Sequence, residues 1–185
     1  MAGQRLAGVP LTCGDDDMSE PAVPNESDCP PIRSRGDFLA AVAWVVQQTV
    51  ALRARQIDCV ADSFDEWPLD DAAVLDALTP WLRLPQRRLV LLGRDFESIR
   101  GAHPRFMAWR KDWSHALDAW TPPEEMGPLP TLVLSDCPIT LQVMDTLQWR
   151  GRVSVEGRKA YLLREQIDAY LQRSERAFPV HHLGL

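Results

Sequence analysis

In the stretch RRLVLLG (residues 87–93), four consecutive apolar residues stand between paired arginines and a glycine. A strand with one wet face alternates apolar and polar residues. A run that does not alternate needs cover on both faces, so this one predicts an inner strand of a partly parallel sheet. Upstream, residues 70–82 place Val74, Leu75, Leu78, Trp81 and Leu82 on one helical face, with Asp70 and Asp71 at the positive end of the macrodipole. Pro80 should kink or shorten the last turn. Before that helix, IDCVADSF (residues 57–64) alternates as a strand, leading into the loop DEWPL. GDFLAAVAWVVQQTVALRARQ (residues 36–56) repeats Phe38, Val42, Val45, Thr49 and Leu52 at helical spacing, with Asp37 as its N-cap.

Downstream, RDFESIRGAHP (residues 94–104) reads as a loop. RFMAWRKDWSHAL (residues 105–117) reads as a helix bearing Phe106, Trp109 or Arg110, Trp113 and Leu117, with Pro104 tolerated in its first turn. LDAW is a short strand and TPPEEMGPLP a proline-rich loop. TLVLS, ITLQVM and RVSVE are three more strands, and RKAYLLREQIDAYLQRSE (residues 158–175) is an amphipathic helix. Strands alternating with helices predict an α/β domain with a mixed, partly parallel sheet flanked by helices.

The chain has 185 residues, enough for one domain. Residues 1–34 combine scattered prolines with an acidic run and lack apolar periodicity, which predicts a disordered tail before a single domain over residues 35–185. The formal charge of −6 means that binding to nucleic acid or anionic lipid would need a local basic patch working against the overall field, and nucleic acid is not the expected partner. Four cysteines with no C-x-x-C pair disfavour a disulfide framework or a structural zinc site and fit a reducing, cytoplasmic setting. No signal peptide is expected, and VPLTC (residues 9–13) is a poor lipoprotein site. The apolar stretch from Phe38 to Val46 falls far short of the ~20 residues that span a bilayer, so no membrane span is expected.

Compact motifs for phosphate loops, nucleophile elbows and zinc proteases are absent, and no cofactor, metal site or catalytic set is predicted. His181 and His182 are a surface pair near a chain end, and His103 flanks a helix start. His115 suits a partly buried histidine as well as a base. Asp62, Asp65 and Glu66 fit loop solubility and helix capping better than paired-carboxylate chemistry. Arg105, Arg110 and Lys111 interleave with Trp109 and Trp113, the pattern of a strand-binding surface, although helical spacing assigns the aromatics to the core. Arg150, Arg152, Arg158 and Lys159 form a second basic patch that suits one phosphate or a charged hairpin rim.

The succession DSFDEWPL, helix, RRLVLLG, helix, short strand, LPTLVLSD and ITLQV resembles one half-unit of the phospholipase D superfamily, as in uncharacterised bacterial proteins. Active members carry H-x-K-x-x-x-x-D, the histidine attacking phosphorus and the lysine holding phosphoryl oxygens. With Asp136 on the acid, Leu129 takes the histidine position and Thr131 the lysine position. Neither supplies a nucleophile or a cation, so the resemblance implies a non-catalytic domain that binds a protein partner or a small ligand. Asp136 then becomes a hairpin residue making an Asx-type bond ahead of Pro138. The candidate ligand cleft comprises His103, Arg105, His115, Asp136, Arg150 and Arg152. Because such half-units pack face to face, a homodimer is expected. The alternatives are a small hydrolase or transferase using His103 or His115 with nearby acids, and a nucleic-acid-binding module using the arginine patches.

Overall fold

The computed structural model describes residues 22–179. The elements are β1 (Pro31–Ile32), α1 (Arg35–Ala51), β2 (Gln56–Val60), α2 (Ala72–Leu82), β3 (Arg88–Leu92), α3 (Glu97–Ala102), α4 (Pro104–Trp109), β4 (Leu117–Thr121), β5 (Thr131–Ser135), β6 (Thr140–Asp145), β7 (Arg150–Ser154), α5 (Gly157–Leu171) and β8 (Glu175–Arg176). The strands make one sheet in the order β1-β7-β6-β5-β2-β3-β4-β8. β2, β3 and β4 run parallel, and every other pairing is antiparallel. This is an α/β domain built on a mixed, partly parallel sheet flanked by helices. The run at residues 89–92 is an interior strand, with β2 on one side and β4 on the other.

Strand alternation sorts the core into two layers. Ile57, Cys59, Leu89, Leu91, Val133 and Leu141 join the larger core with Phe38 and Val42 of α1 and Val74 and Leu78 of α2. Val60, Leu92, Leu132 and Leu134 face the other way and meet Leu163 and Ile167 of α5. Each such side chain contributes about 1.5–3 kcal/mol by leaving water.

Five local expectations change. Residues 22–34 are not featureless: Pro31 and Ile32 pair with Arg152 and Gly151, and Ile32 is buried in the larger core. A two-residue edge strand is made by pairing and leaves no periodicity in the sequence. Order thus begins upstream of residue 35, while residues 1–21 of the expected tail, with VPLTC, lie outside the described residues. The N-cap of α1 is Ser34, whose hydroxyl accepts from the Asp37 amide at 3.2 Å, while the Asp37 carboxylate accepts from the Arg33 amide at 3.0 Å. With Ser34 as the cap and Asp37 tying down the residue before it, the helix starts earlier than Asp37 alone would set it. Residues 97–102, expected as loop, form α3, because the Asp95 carboxylate accepts from the Glu97 and Ser98 amides. The helix expected over 105–117 ends at Trp109 and gives way to turns. Pro80 sits inside α2 without ending it before Leu82.

Candidate nucleic-acid interface

The three parallel strands begin at one end of the sheet, and the loops that feed them leave α1, α2 and α4 at their negative C-terminal ends, where cations are favoured. Residues 52–55 and 83–88 hold five arginines and no acid. Backbone bonds bring these loops into one row. The Arg55 carbonyl accepts from the Arg88 amide at 2.9 Å, and the Ala116 carbonyl accepts from the Leu89 amide at 2.9 Å, joining the loop before β4 that carries Lys111. Arg53, Arg55, Arg83, Arg88 and Lys111 are exposed. Among the described residues, Arg88 pairs with Asp118, whereas Arg53, Arg55, Arg83, Arg87 and Lys111 take part in no ion pair. Acids stand here too: Asp112 is exposed beside Lys111, and the Asp136 carboxylate lies at the start of β2. Arg53 holds a φ of 59°, the left-handed conformation that favours glycine, in the turn closing α1.

The opposite end of the same strands has the reverse composition. Residues 61–71, which leave β2, contain five acids and no base. Their carboxylates are partly absorbed by the fold. Asp62 accepts from the Leu129 amide at 3.0 Å and pairs with Arg94 at 3.2 Å. Asp70 accepts from the Phe106 amide at 2.8 Å and the Arg105 amide at 3.2 Å, capping α4, while Asp71 caps α2. The two ends of the parallel strands therefore carry opposite charge, roughly a strand's length apart.

The expected cleft residues do not converge. His103 is buried, its Nε2 2.8 Å from the Phe64 carbonyl oxygen, where it ties α4 to the loop after β2. Arg105 is exposed toward the acidic end, and its amide is held by Asp70. His115 is exposed at the basic rim, its ring 6.1 Å from that of Trp113. Arg150 and Arg152 are exposed on β7, with Arg152 paired to Glu26 at 2.7 Å. Asp136 is no local Asx turn: its carboxylate accepts from the Arg55 amide at 2.9 and 3.1 Å and from the Gln56 amide at 3.3 Å, so it caps the start of β2. Ser135 makes the hairpin bond instead, accepting from the Cys137 amide.

The first basic cluster seen in the sequence comes apart, and the second is partly neutralised by Glu26, which pairs with Arg152 and feels the charge of Lys159. Arg110 is 3% exposed, its guanidinium 3.6 Å from the centroid of the Phe178 ring and bonded to the Phe178 carbonyl. Burial, with a smaller push from Arg100, lowers its pKa to about 10. It is a packing residue. Arg158 and Lys159 sit at the start of α5, beyond the end of β7. His181, His182 and Cys13 lie outside the described residues.

Elsewhere the polar chemistry is structural. Asp58 is fully buried on β2 and accepts from Gln56 at 2.7 Å and Arg164 of α5 at 2.6 Å. Desolvation raises its carboxyl above the ordinary 3.8 against the opposing pull of Arg164. Leu129, at the nucleophile position of the phospholipase D pattern, is buried with Leu132, Leu134 and Ile167, and Thr131 is half-buried. No group of three or more metal-ligating side chains gathers among the described residues. No described helix is long and apolar enough to cross a membrane.

The fold has a solved counterpart. It is similar to TrmBL2, an archaeal chromatin protein whose structure is described as showing a novel mode of DNA binding, with a TM-score of 0.54 and 11% identity. The match covers 80% of this chain and 54% of that one, so the chain spans about half the length of TrmBL2. No family model matches the chain, and no curated protein matches it. At this identity the likeness shows a shared fold. The expected non-catalytic phospholipase D-like domain binding a protein or small ligand is corrected, because the solved fold that the chain matches is that of a DNA-binding chromatin protein. The same neighbour conflicts with the expectation that nucleic acid is an unlikely partner. That expectation took the charge of −6 as spread over the molecule, whereas the fold gathers bases at one end of the sheet.

Proposed function

We propose that the domain binds nucleic acid through the basic rim at the N-terminal ends of β2, β3 and β4. The observation that carries this is the charge separation: five arginines and no acid in the two loops entering β2 and β3, against five acids and no base in the loop leaving β2. Phosphate contacts supply most of the affinity of sequence-independent binding, and long cations in an open row suit them. The likeness in fold to a chromatin protein supports the same reading.

Anisotropy titration of a labelled duplex over a range of salt concentrations tests it. If about five cations each neutralise one phosphate, log K falls against log salt with a slope of roughly −4 to −5. Replacing Arg53, Arg55 and Arg83 together by alanine should flatten that slope by about 3. Salt-independent binding, or a slope that the triple variant leaves unchanged, would overturn the proposal.

A further inference from the structure

A line of aromatic rings runs from the core to the β4 end of the basic rim. Phe106, 1% exposed, stacks on Trp109 with centroids 5.7 Å apart. Trp109 is held by its indole N–H, which donates to the Thr79 hydroxyl at 2.9 Å, and its ring lies 6.2 Å from that of Trp113. Trp113 is half-buried and lies 6.1 Å from the ring of His115, which is exposed. The inner rings fix the outer ones. Core packing explains Phe106, Trp109 and the inner side of Trp113, but it gives no reason for an exposed imidazole to follow the half-buried indole out to the surface beside Lys111.

We infer that Trp113 and His115 form a stacking platform for an unpaired base, so that the rim takes single-stranded DNA with its backbone along the arginines. This rests on the proposed nucleic-acid reading and adds the class of strand. Surfaces that hold single strands combine a basic track with aromatic faces, and every base offers a π-face to such a platform without being read for sequence. The bases of an intact duplex are stacked on each other and present only their edges in the grooves. Trp113 and His115 therefore contribute to a single strand, while Arg53, Arg55 and Arg83 contribute to both forms.

The test is a parallel titration of an oligothymidylate and a duplex of the same length against the full chain and its variants. Removal of one stacking contact is worth about 1–3 kcal/mol, or roughly five- to 150-fold in affinity. Trp113→Leu is expected to weaken oligothymidylate binding by that factor and to leave duplex binding within about twofold. Because Trp113 also touches the core, His115→Ala serves as the second variant, expected to lose single-strand affinity that His115→Tyr restores. Equal losses for both strands, or no loss in either His115→Ala or a folded Trp113→Leu protein, would overturn the platform and leave the rim standing. Failure of either DNA form to bind the wild-type chain would instead remove the rim itself.

Discussion

On the proposed reading, Arg53 separates folding from binding at a single position. A non-glycine residue in the left-handed region costs roughly 1 kcal/mol, and this one ends α1 there with its side chain in water. Such strain is retained where the side chain serves something other than stability. Arg53→Gly should therefore leave the melting temperature equal or slightly raised while weakening duplex binding severalfold. Calorimetry and anisotropy on the same sample check both halves. Arg164 makes the contrasting case. It is the cation that faces the fully buried Asp58, and replacing it by methionine leaves a carboxylate without its partner, a loss of about 3–5 kcal/mol near neutrality. With Arg164 gone, desolvation acts on Asp58 unopposed by that guanidinium. The folded chain then keeps the Asp58 proton to a higher pH than the unfolded chain, whose value lies near 3.8. Stability of the variant is thus full below that value and is lost as pH rises through the folded one. Denaturant midpoints measured from acid to neutral pH should show the gap to wild type widening with pH.

At the scale of elements, what could be foreseen divides by the range of the interaction. Apolar runs and helical stripes located β2, β3, β5, β6, α1, α2 and α5 because each pattern is complete within its own segment. Caps that reach across the chain were not legible. Asp136 closes the start of β2 some eighty residues upstream, and Asp70 caps α4 rather than α2; both look like ordinary turn acids in sequence. The rim was hidden for the same reason, since its arginines fall in separate loops that only the parallel pairing of β2, β3 and β4 aligns. β1 exists solely through its partner. Its neighbour Gly151 approaches β6 so closely that an added Cβ would lie 2.5 Å from the Gln142 carbonyl oxygen. Gly151→Ala should force β7 away from β6, at a cost of about 1–3 kcal/mol. Hydrogen exchange should quicken in the β6–β7–β1 edge and stay slow in β2 and β3. Uniform exchange throughout would mean that the edge and the parallel core open as one unit.

For the molecule as a whole, the proposed reading puts nucleic acid at the basic rim within the field of the acidic end, which would act on it only through space. A strand of five residues is roughly 17 Å long, which sets the scale of the separation between the two ends. In water, two unit charges that far apart interact by about 0.25 kcal/mol, so several acids facing several phosphates sum to an appreciable repulsion. At physiological ionic strength the screening length is about 8 Å and most of that repulsion disappears; at ~0.01 M it is about 30 Å and the repulsion survives. Glu124 and Glu125, exposed in the loop after β4 and outside every ion pair among the described residues, are suitable probes at the acidic end. Converting both to glutamine should tighten DNA binding about twofold at low salt and leave it unchanged at physiological salt. Arg55→Ala, by contrast, should weaken binding at both ionic strengths, because a direct phosphate contact is lost along with the field. A glutamine effect that persists at physiological salt would place the DNA against the acidic end and reverse the assigned orientation.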